Sequence, residues 1–273
     1  MAINDISLTA GMRANLISLQ GSVDLLNRTQ ERLATGKKIN SALDNPTAYF
    51  ASQALLARAS DLSVLKDGMG QAIQTIKAAD AGVKGITALI EAAKGLTQSA
   101  RTADTAGRAA LATQFDDLLT QIDELALDSG YQGTNLLAAG SSLVVNFNED
   151  GTSQLTITGF DASATTGLGI AVAAAAWAAD TDIDTAVTHL DAAISTLRTN
   201  SSVLSSNLNV VTNREDFTTN MIKALTEGSD KLTLADMNEE GANMLMLQTR
   251  QALSTTALSL SAQAAQSVLR LFG

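Results

Sequence analysis

The chain has no cysteine, one proline (Pro46), one histidine (His189) and one tryptophan (Trp177), and aromatic residues make up only 3% of it. The absence of cysteine excludes a disulfide framework and any thiolate metal site. A single histidine excludes a histidine triad and an H-E-x-x-H zinc site, so His189 reads as an exposed or partly covered helix residue. Few rings, almost no proline and many Ala, Leu, Gln, Ser and Thr residues suit long helices in close contact better than a sheet-based core. Long apolar runs are lacking too. The stretch Gln251 to Leu269 is free of charge over 19 residues, but nine of them are Gln, Ser or Thr, too polar to cross a bilayer. Residues 1–22 carry Asp5 and Arg13 and show no apolar core followed by a cleavage site, so no cleaved signal peptide is expected.

What the chain does have is enough apolar matter for a core, 45% of 273 residues, in one or two domains. Its net charge of −10 argues against nucleic acid, which needs a basic face. The charge is concentrated. Residues 101–200 hold three arginines against thirteen Asp and Glu, and the rest of the chain balances at 15 basic against 15 acidic residues. The middle therefore reads as a solvated surface and the ends as contact surfaces.

Four segments repeat apolar residues at 3–4 spacing, the pattern of helices packed side by side. The first follows Met12, Leu16, Leu19, Val23, Leu26, Gln30 and Leu33, and Gly36 ends it with Lys37 and Lys38 at the negative helix terminus. Asn45 as N-cap and Pro46 at the first helical position restart the chain. The second seam runs Leu62, Leu65, Met69, Ala72, Ile76, Ala79, Val83, Ile86, Ile90, Ala93 and Thr97, roughly 54 Å at 1.5 Å per residue. A third, shorter helix carries Leu111, Phe115, Leu118, Ile122 and Leu125 and ends near Gly130. Leu143, Val145 and Phe147, then Leu155 and Ile157, alternate with polar residues around Glu149-Asp150-Gly151, which predicts a β-hairpin at about 143–160. Residues 161–181, rich in Gly, Ala and Thr, read as a loose connection. From Ile183 the heptad returns through Val187, Leu190, Ile194, Leu197, Ser201, Leu204, Leu208, Val211, Glu215, Thr218, Ile222 and Leu225. Gly228 is expected to break it before a last helix from about Leu234 to Leu271. The fold class is mainly α: a long antiparallel, coiled-coil-like rod with a small central hairpin and both termini at one end.

Several residues invite a chemical reading, and each has a plainer one. Asp116-Asp117 and Asp123-Glu124 read as a solvated helix face rather than a carboxylate site. Gly68 and Gly70 lack the strand-to-helix context of a phosphate loop and read as close helix contacts. Leu62, Leu65, Met69, Ile76, Val83, Ile86 and Ile90 are expected to pair within one subunit with Leu190, Ile194, Leu197, Leu204, Leu208, Val211, Ile222 and Leu225. The end segments, with Leu16, Leu19, Val23, Leu26, Leu33, Leu258 and Leu269, are expected to seek partners and to order on polymerisation.

Glu31-Arg32-Leu33-Ala34-Thr35-Gly36-Lys37-Lys38-Ile39-Asn40-Ser41-Ala42-Leu43-Asp44 resembles the N-terminal signature of bacterial flagellins. Gln121 to Leu137 looks like the end of that family's N-terminal rod, and Leu190 through Asn213-Arg214 to Leu269 is similar to its C-terminal region. The resemblance implies a terminal coiled-coil filament-core domain (1–42 with 234–273) and a helical rod domain (43–233), with no large variable outer domains. The motif residues it marks are Glu31, Arg32, Leu33, Gly36, Ile39, Asn40, Ser41 and Asp44. It implies a structural, non-enzymatic subunit of the flagellar filament, serving motility, with no cofactor and no metal. It also implies type III export to the extracellular flagellum. The partners implied are other copies of the chain, hook-associated junction and cap proteins, and an export chaperone at the C-terminal region. Asn45-Pro46-Thr47 and the terminal Arg270-Leu271-Phe272-Gly273 depart from the usual pattern, the former toward hook–filament junction proteins, the alternative reading. The segment Leu89 to Gln98 lacks the arginines that innate immune receptors read in some flagellins. A lipid binder is disfavoured because the ends are near neutral, without basic flanks, and no membrane is expected as partner.

Overall fold

The computed structural model describes residues 10–272, without the side chains of Ala10, Ala265 and residues 268–272. Five α-helices and one sheet of two strands are present among the described residues: α1 (Ala10–Thr35), α2 (Pro46–Ala100), α3 (Thr105–Asp128), β1 (Ser142–Asn146), β2 (Gln154–Thr158), α4 (Asp180–Thr233) and α5 (Met237–Phe272). The chain divides into two compact units, Ala59–Lys223 and Met1–Arg58 with Ala224–Gly273. The mainly helical fold class with a central hairpin is therefore observed.

In the unit Ala59–Lys223, the α2 seam is the core. Every position of it from Leu62 to Thr97 is buried except Leu65, which is half-buried. Ile183, Leu190, Ile194, Leu197, Leu204 and Val211 of α4 join the same cluster. Lys94 pairs with Asp191 and Arg101 with Asp184, both at 2.5 Å. Seven residues forward on α2 are thus seven back on α4, so the two run antiparallel. These exposed pairs contribute little energy and chiefly report register.

Helix α3 starts on Asp104, whose carboxylate accepts the Gly107 N–H at 2.8 Å. It reaches α2 because two glycines leave room. A methyl group at Gly82 would lie 2.2 Å from Ser129 Oγ, and one at Gly85 would lie 2.8 Å from Leu125 Cδ2. The close contacts expected at Gly68 and Gly70 are not there: a methyl at either meets nothing within 4 Å. The seam repeat alone does not tell which glycines a third helix will approach.

The hairpin pairs Leu143 with Ile157 and Val145 with Leu155, which turns Val145 and Ile157 into the core and leaves Val144 exposed. Gly151, at φ 66°, closes the turn by donating to the Asn148 carbonyl.

Residues 161–181 are not a loose connection. Ala162, Ala164, Leu168, Ile170 and Trp177 are all buried in the core. The carboxylate of Asp161 gathers Ser163 and Thr166 into a tight turn, and Gly167 approaches the Asp161 backbone too closely for any Cβ. Small side chains here let the backbone itself press onto α3.

Gly228 does not break α4, which continues to Thr233. It faces Leu55, whose Cδ1 would lie 3.5 Å from an added Cβ. A helical glycine costs only about 1 kcal/mol, and the packing of the continuing helix outweighs it. The helix stops where the Thr233 carbonyl accepts the N–H groups of Lys38 and Ile39 at 2.7 and 3.3 Å.

Candidate assembly surface on the terminal helices

In the unit formed by Met1–Arg58 and Ala224–Gly273, the motif residues build a junction. Gly36, at φ 69°, ends α1 as a left-handed residue should. Its carbonyl accepts the Ala235 N–H at 3.0 Å, and Lys37 bridges antiparallel to Leu234. Asp44 then gathers the turn: its Oδ2 accepts from Ser41 N (3.0 Å), Asn40 N (3.1 Å) and Ser41 Oγ (3.2 Å). The backbone N–H of Ser41, then that of Asn40, holds the Asp44 carboxyl below its ordinary range, with the Ser41 hydroxyl and the charge of Arg32 adding to the effect. Asn45 caps α2 by accepting from Ala48 N at 3.1 Å. Asp236 does the same for α5, taking Asn238 N at 2.9 Å. Glu31 accepts the Thr35 hydroxyl on its carbonyl, and Leu33 and Ile39 are half-buried. Leu43 is 96% exposed on this turn.

Helices α1 and α5 pack against each other, α5 running back along α1 from this junction. Arg32 reaches Glu240 at 2.9 Å and fixes their register. The packed face of α1 mixes small polar and large apolar side chains: Ser22 is 4%, Thr29 6% and Met12 7% exposed, alongside the half-buried Leu19, Leu26 and Leu33. One half of the expected seam has thus moved by a residue, with Ser22 and Thr29 taking the deepest positions beside half-buried Val23 and exposed Gln30. On α5 the inner face carries Glu240, Met244, Leu247, Gln251, Ser254 and Leu258.

Further large side chains lie on the outside. Ile17 of α1 and Leu245, Met246, Leu253 and Leu260 of α5 are each more than half exposed, and Leu16 and Leu25 are also exposed. Met246, Leu253 and Leu260 recur every seven residues, so they form one stripe. A shallow groove of about 410 Å³ lies among Leu245, Met246, Thr249, Arg250 and Leu253. Of the residues named from sequence for assembly, Leu16 is exposed, Leu19, Val23, Leu26, Leu33 and Leu258 are half-buried, and the Leu269 side chain lies outside the described residues. Sequence reading did not single out Ile17, Met246, Leu253 or Leu260, although the last three form a second heptad on α5 beside the first.

Other chemistry finds little footing. Among the described residues there is no cluster of three or more His, Cys, Asp or Glu able to hold a metal, and no helix is long and apolar enough to cross a membrane. Asp116 and Asp123 are half-buried, not a solvated face. Asp116 accepts the Ala173 N–H at 2.8 Å and Asp123 the Ala164 N–H at 2.7 Å, which pins the 161–179 connection to α3. Only their neighbours Asp117 and Glu124 are exposed.

Comparison with known proteins covers the whole chain. The family profile described as the bacterial flagellin N-terminal helical region matches residues 3–142, and the bacterial flagellin C-terminal helical region matches residues 181–272. The chain is 33% identical over 286 residues to flagellin FljK of Caulobacter vibrioides and 32% identical over 282 residues to flagellin FljM of the same organism, in each case across 100% of both chains. It is 27% identical to a flagellin of Brucella melitensis over 98% of this chain and 97% of that one. Among solved structures, a crystal structure of Bacillus cereus flagellin overlaps 55% of this chain and 88% of its own at a TM-score of 0.47 and 17% identity.

Proposed function

We propose, from the premise that the chain belongs to the bacterial flagellin family and is a structural subunit of the extracellular flagellar filament, that it polymerises through the apolar stripe outside the α1–α5 pair. One observation carries this reading: beyond the Met12, Ser22, Thr29 and Leu247 that the pair buries, it leaves Ile17, Leu245, Met246, Leu253 and Leu260 open to its surroundings. Burying the exposed part of these five side chains, close to two thirds of each, is worth roughly 5–10 kcal/mol at about 1.5–3 kcal/mol for a whole side chain. Association of one pair of molecules costs about 4–15 kcal/mol in lost freedom. A single neighbour leaves the balance marginal, whereas several neighbours covering one stripe make it favourable. That is the arithmetic of a polymer, in which one patch meets a different patch on the next copy without closing.

On this reading a filament-core domain spans 1–42 with 234–273 and a rod domain 43–233, a narrower core than the compact terminal unit, which also takes in residues 43–58 and 224–233. The side-by-side breaks at Lys37 and Leu234 support that division. Before assembly, the α5 stripe is the face an export chaperone would cover during type III export. Hook-associated junction and cap proteins would meet it at the filament ends. The role is structural and not enzymatic. Asn45-Pro46 is accounted for by the α2 cap, so the junction-protein alternative has no separate support.

Seeded polymerisation followed by sedimentation and electron microscopy tests the stripe. The Leu253→Ser/Leu260→Ser double variant should raise the critical concentration by more than about tenfold, from the burial lost, with the circular dichroism of the monomer unchanged. Wild-type filament growth by that variant would overturn the assignment.

A further inference from the structure

Trp177 is completely buried, and its ring meets Phe115 edge-on at 5.0 Å between centroids. Its Nε1–H, a donor with no acceptor capacity, has no hydrogen-bond partner in the protein, and neither has the buried Nδ1 of His189. Both residues line one cavity of about 80 Å³, together with Val172, Asp182, Thr185 and Ala186. The other polar side chains there have no hydrogen to spare for Nδ1. Asp182 accepts the Ala179 N–H at 3.2 Å, and the Thr185 hydroxyl donates to the Thr181 carbonyl at 2.8 Å.

The backbone that delivers Trp177 to this cavity is left-handed at three successive residues, with φ of 44° at Ala175, 50° at Ala176 and 57° at Trp177, none of them glycine. Such a conformation persists only where its surroundings over-determine it. An orphaned buried donor works against it, because a buried polar group without a partner forfeits its full hydration. Two orphans on one cavity point to a shared partner.

Chemistry narrows that partner. It must accept from Nε1–H, which excludes an ammonium or metal cation. With the proton placed on Nε2, the Nδ1 lone pair must be offered a hydrogen, which excludes a carboxylate or phosphate. A neutral hydroxyl meets both demands, and the volume suits water rather than a larger solute. We propose that this cavity is a structural hydration site. Water there accepts from Trp177 Nε1–H and donates to His189 Nδ1, fixing His189 as the Nε2–H tautomer and securing the left-handed turn against α4.

Nuclear magnetic resonance on the full-length ¹⁵N-labelled monomer tests this, because one tryptophan and one histidine make both signals unambiguous. At about pH 8, above the ordinary histidine value, Nδ1 should resonate as an unprotonated nitrogen. The indole Hε1 should show cross-relaxation with a long-lived water. His189→Gln, which keeps a carbonyl acceptor, should retain that water signal, and His189→Leu should lose it. A proton on Nδ1, an indole proton without a water partner, or a signal surviving in His189→Leu would each overturn the proposal. Should a variant fail to fold, the two wild-type measurements decide on their own.

Discussion

Arg32 and Glu240, 208 positions apart in the chain, meet at 2.9 Å between α1 and α5, with the Glu240 side chain only 7% exposed and that of Arg32 25%. A carboxylate this deeply covered is tolerable because it is paired. The pair lies next to the Lys37–Leu234 bridge, so it sets the register of α1 on α5 where α1 ends and α5 begins. Arg32→Ala leaves Glu240 covered and unpaired. Unfolding of the terminal unit should become easier by about 3 kcal/mol, within the range for a broken buried pair. The double variant Arg32→Met/Glu240→Leu should recover most of that loss. Hydrogen exchange at α1 and α5 amides reads both, and equal exchange in Arg32→Ala and wild type would refute the role.

Glycine substitutions in α2 should split by sign. Gly68 is exposed with open space around its added methyl, so Gly68→Ala should stabilise the monomer by about 1 kcal/mol through helix propensity alone. At Gly82 the same methyl would fall 2.2 Å from Ser129 Oγ and 2.6 Å from Leu137 Cδ1. Gly82→Ala should therefore destabilise by about 1–3 kcal/mol, the usual cost of overpacking. Urea unfolding of the two variants compares them directly, and a shared sign would contradict the packing described.

The legible parts of this fold were those that large side chains write into a helix. The Leu62–Thr97 seam and its α4 counterpart could be read because isoleucine, leucine and methionine at 3–4 spacing have one economical burial. Gly36 and Asn45-Pro46 were legible because a left-handed terminus and a cap need particular residue types. The connection at 161–179 was not. Beyond the local Asp161 turn, its order comes from carboxylates some 40 to 60 residues earlier, Asp123 to Ala164 and Asp116 to Ala173, which nothing local announces. The assembly face was half legible. The apolar heptad of the ends marked them as contact surfaces, but Ser22 and Thr29 at the deepest positions invert the rule that the largest residues face inward.

Those two carboxylates can be separated by experiment. Asp116→Ala removes the acceptor of the Ala173 N–H, and Asp123→Ala that of the Ala164 N–H. Each should cost about 1–3 kcal/mol for a backbone donor left unsatisfied. The corresponding Asn variants keep an oxygen acceptor and should cost less than the Ala variants. Exchange should accelerate at Ala173 but not Ala164 in the first case, and the reverse in the second. Acceleration at both amides in both variants would mean that the connection unfolds as one unit.

Asp161 supplies the pH dependence of the same segment. The Ser163 hydroxyl at 2.6 Å, the Ser163 N–H at 2.9 Å and the Thr166 hydroxyl at 3.0 Å all donate to its carboxylate. The Ser163 hydroxyl first, then the Ser163 N–H, holds the carboxyl below its ordinary value of 3.8, and burial opposes them only in part. A carboxylate with a lowered folded pKa stabilises the fold fully above its unfolded value. That contribution fades as pH falls from the ordinary value through the lowered one. The gap in stability between wild type and Asp161→Asn should therefore be constant above about pH 5 and close steadily in acid. Trp177 fluorescence during urea unfolding at stepped pH follows it, since this lone tryptophan is buried in the same core cluster. A gap that stays constant down through the acid range would show that the serine and threonine donors do not favour the ionised carboxylate.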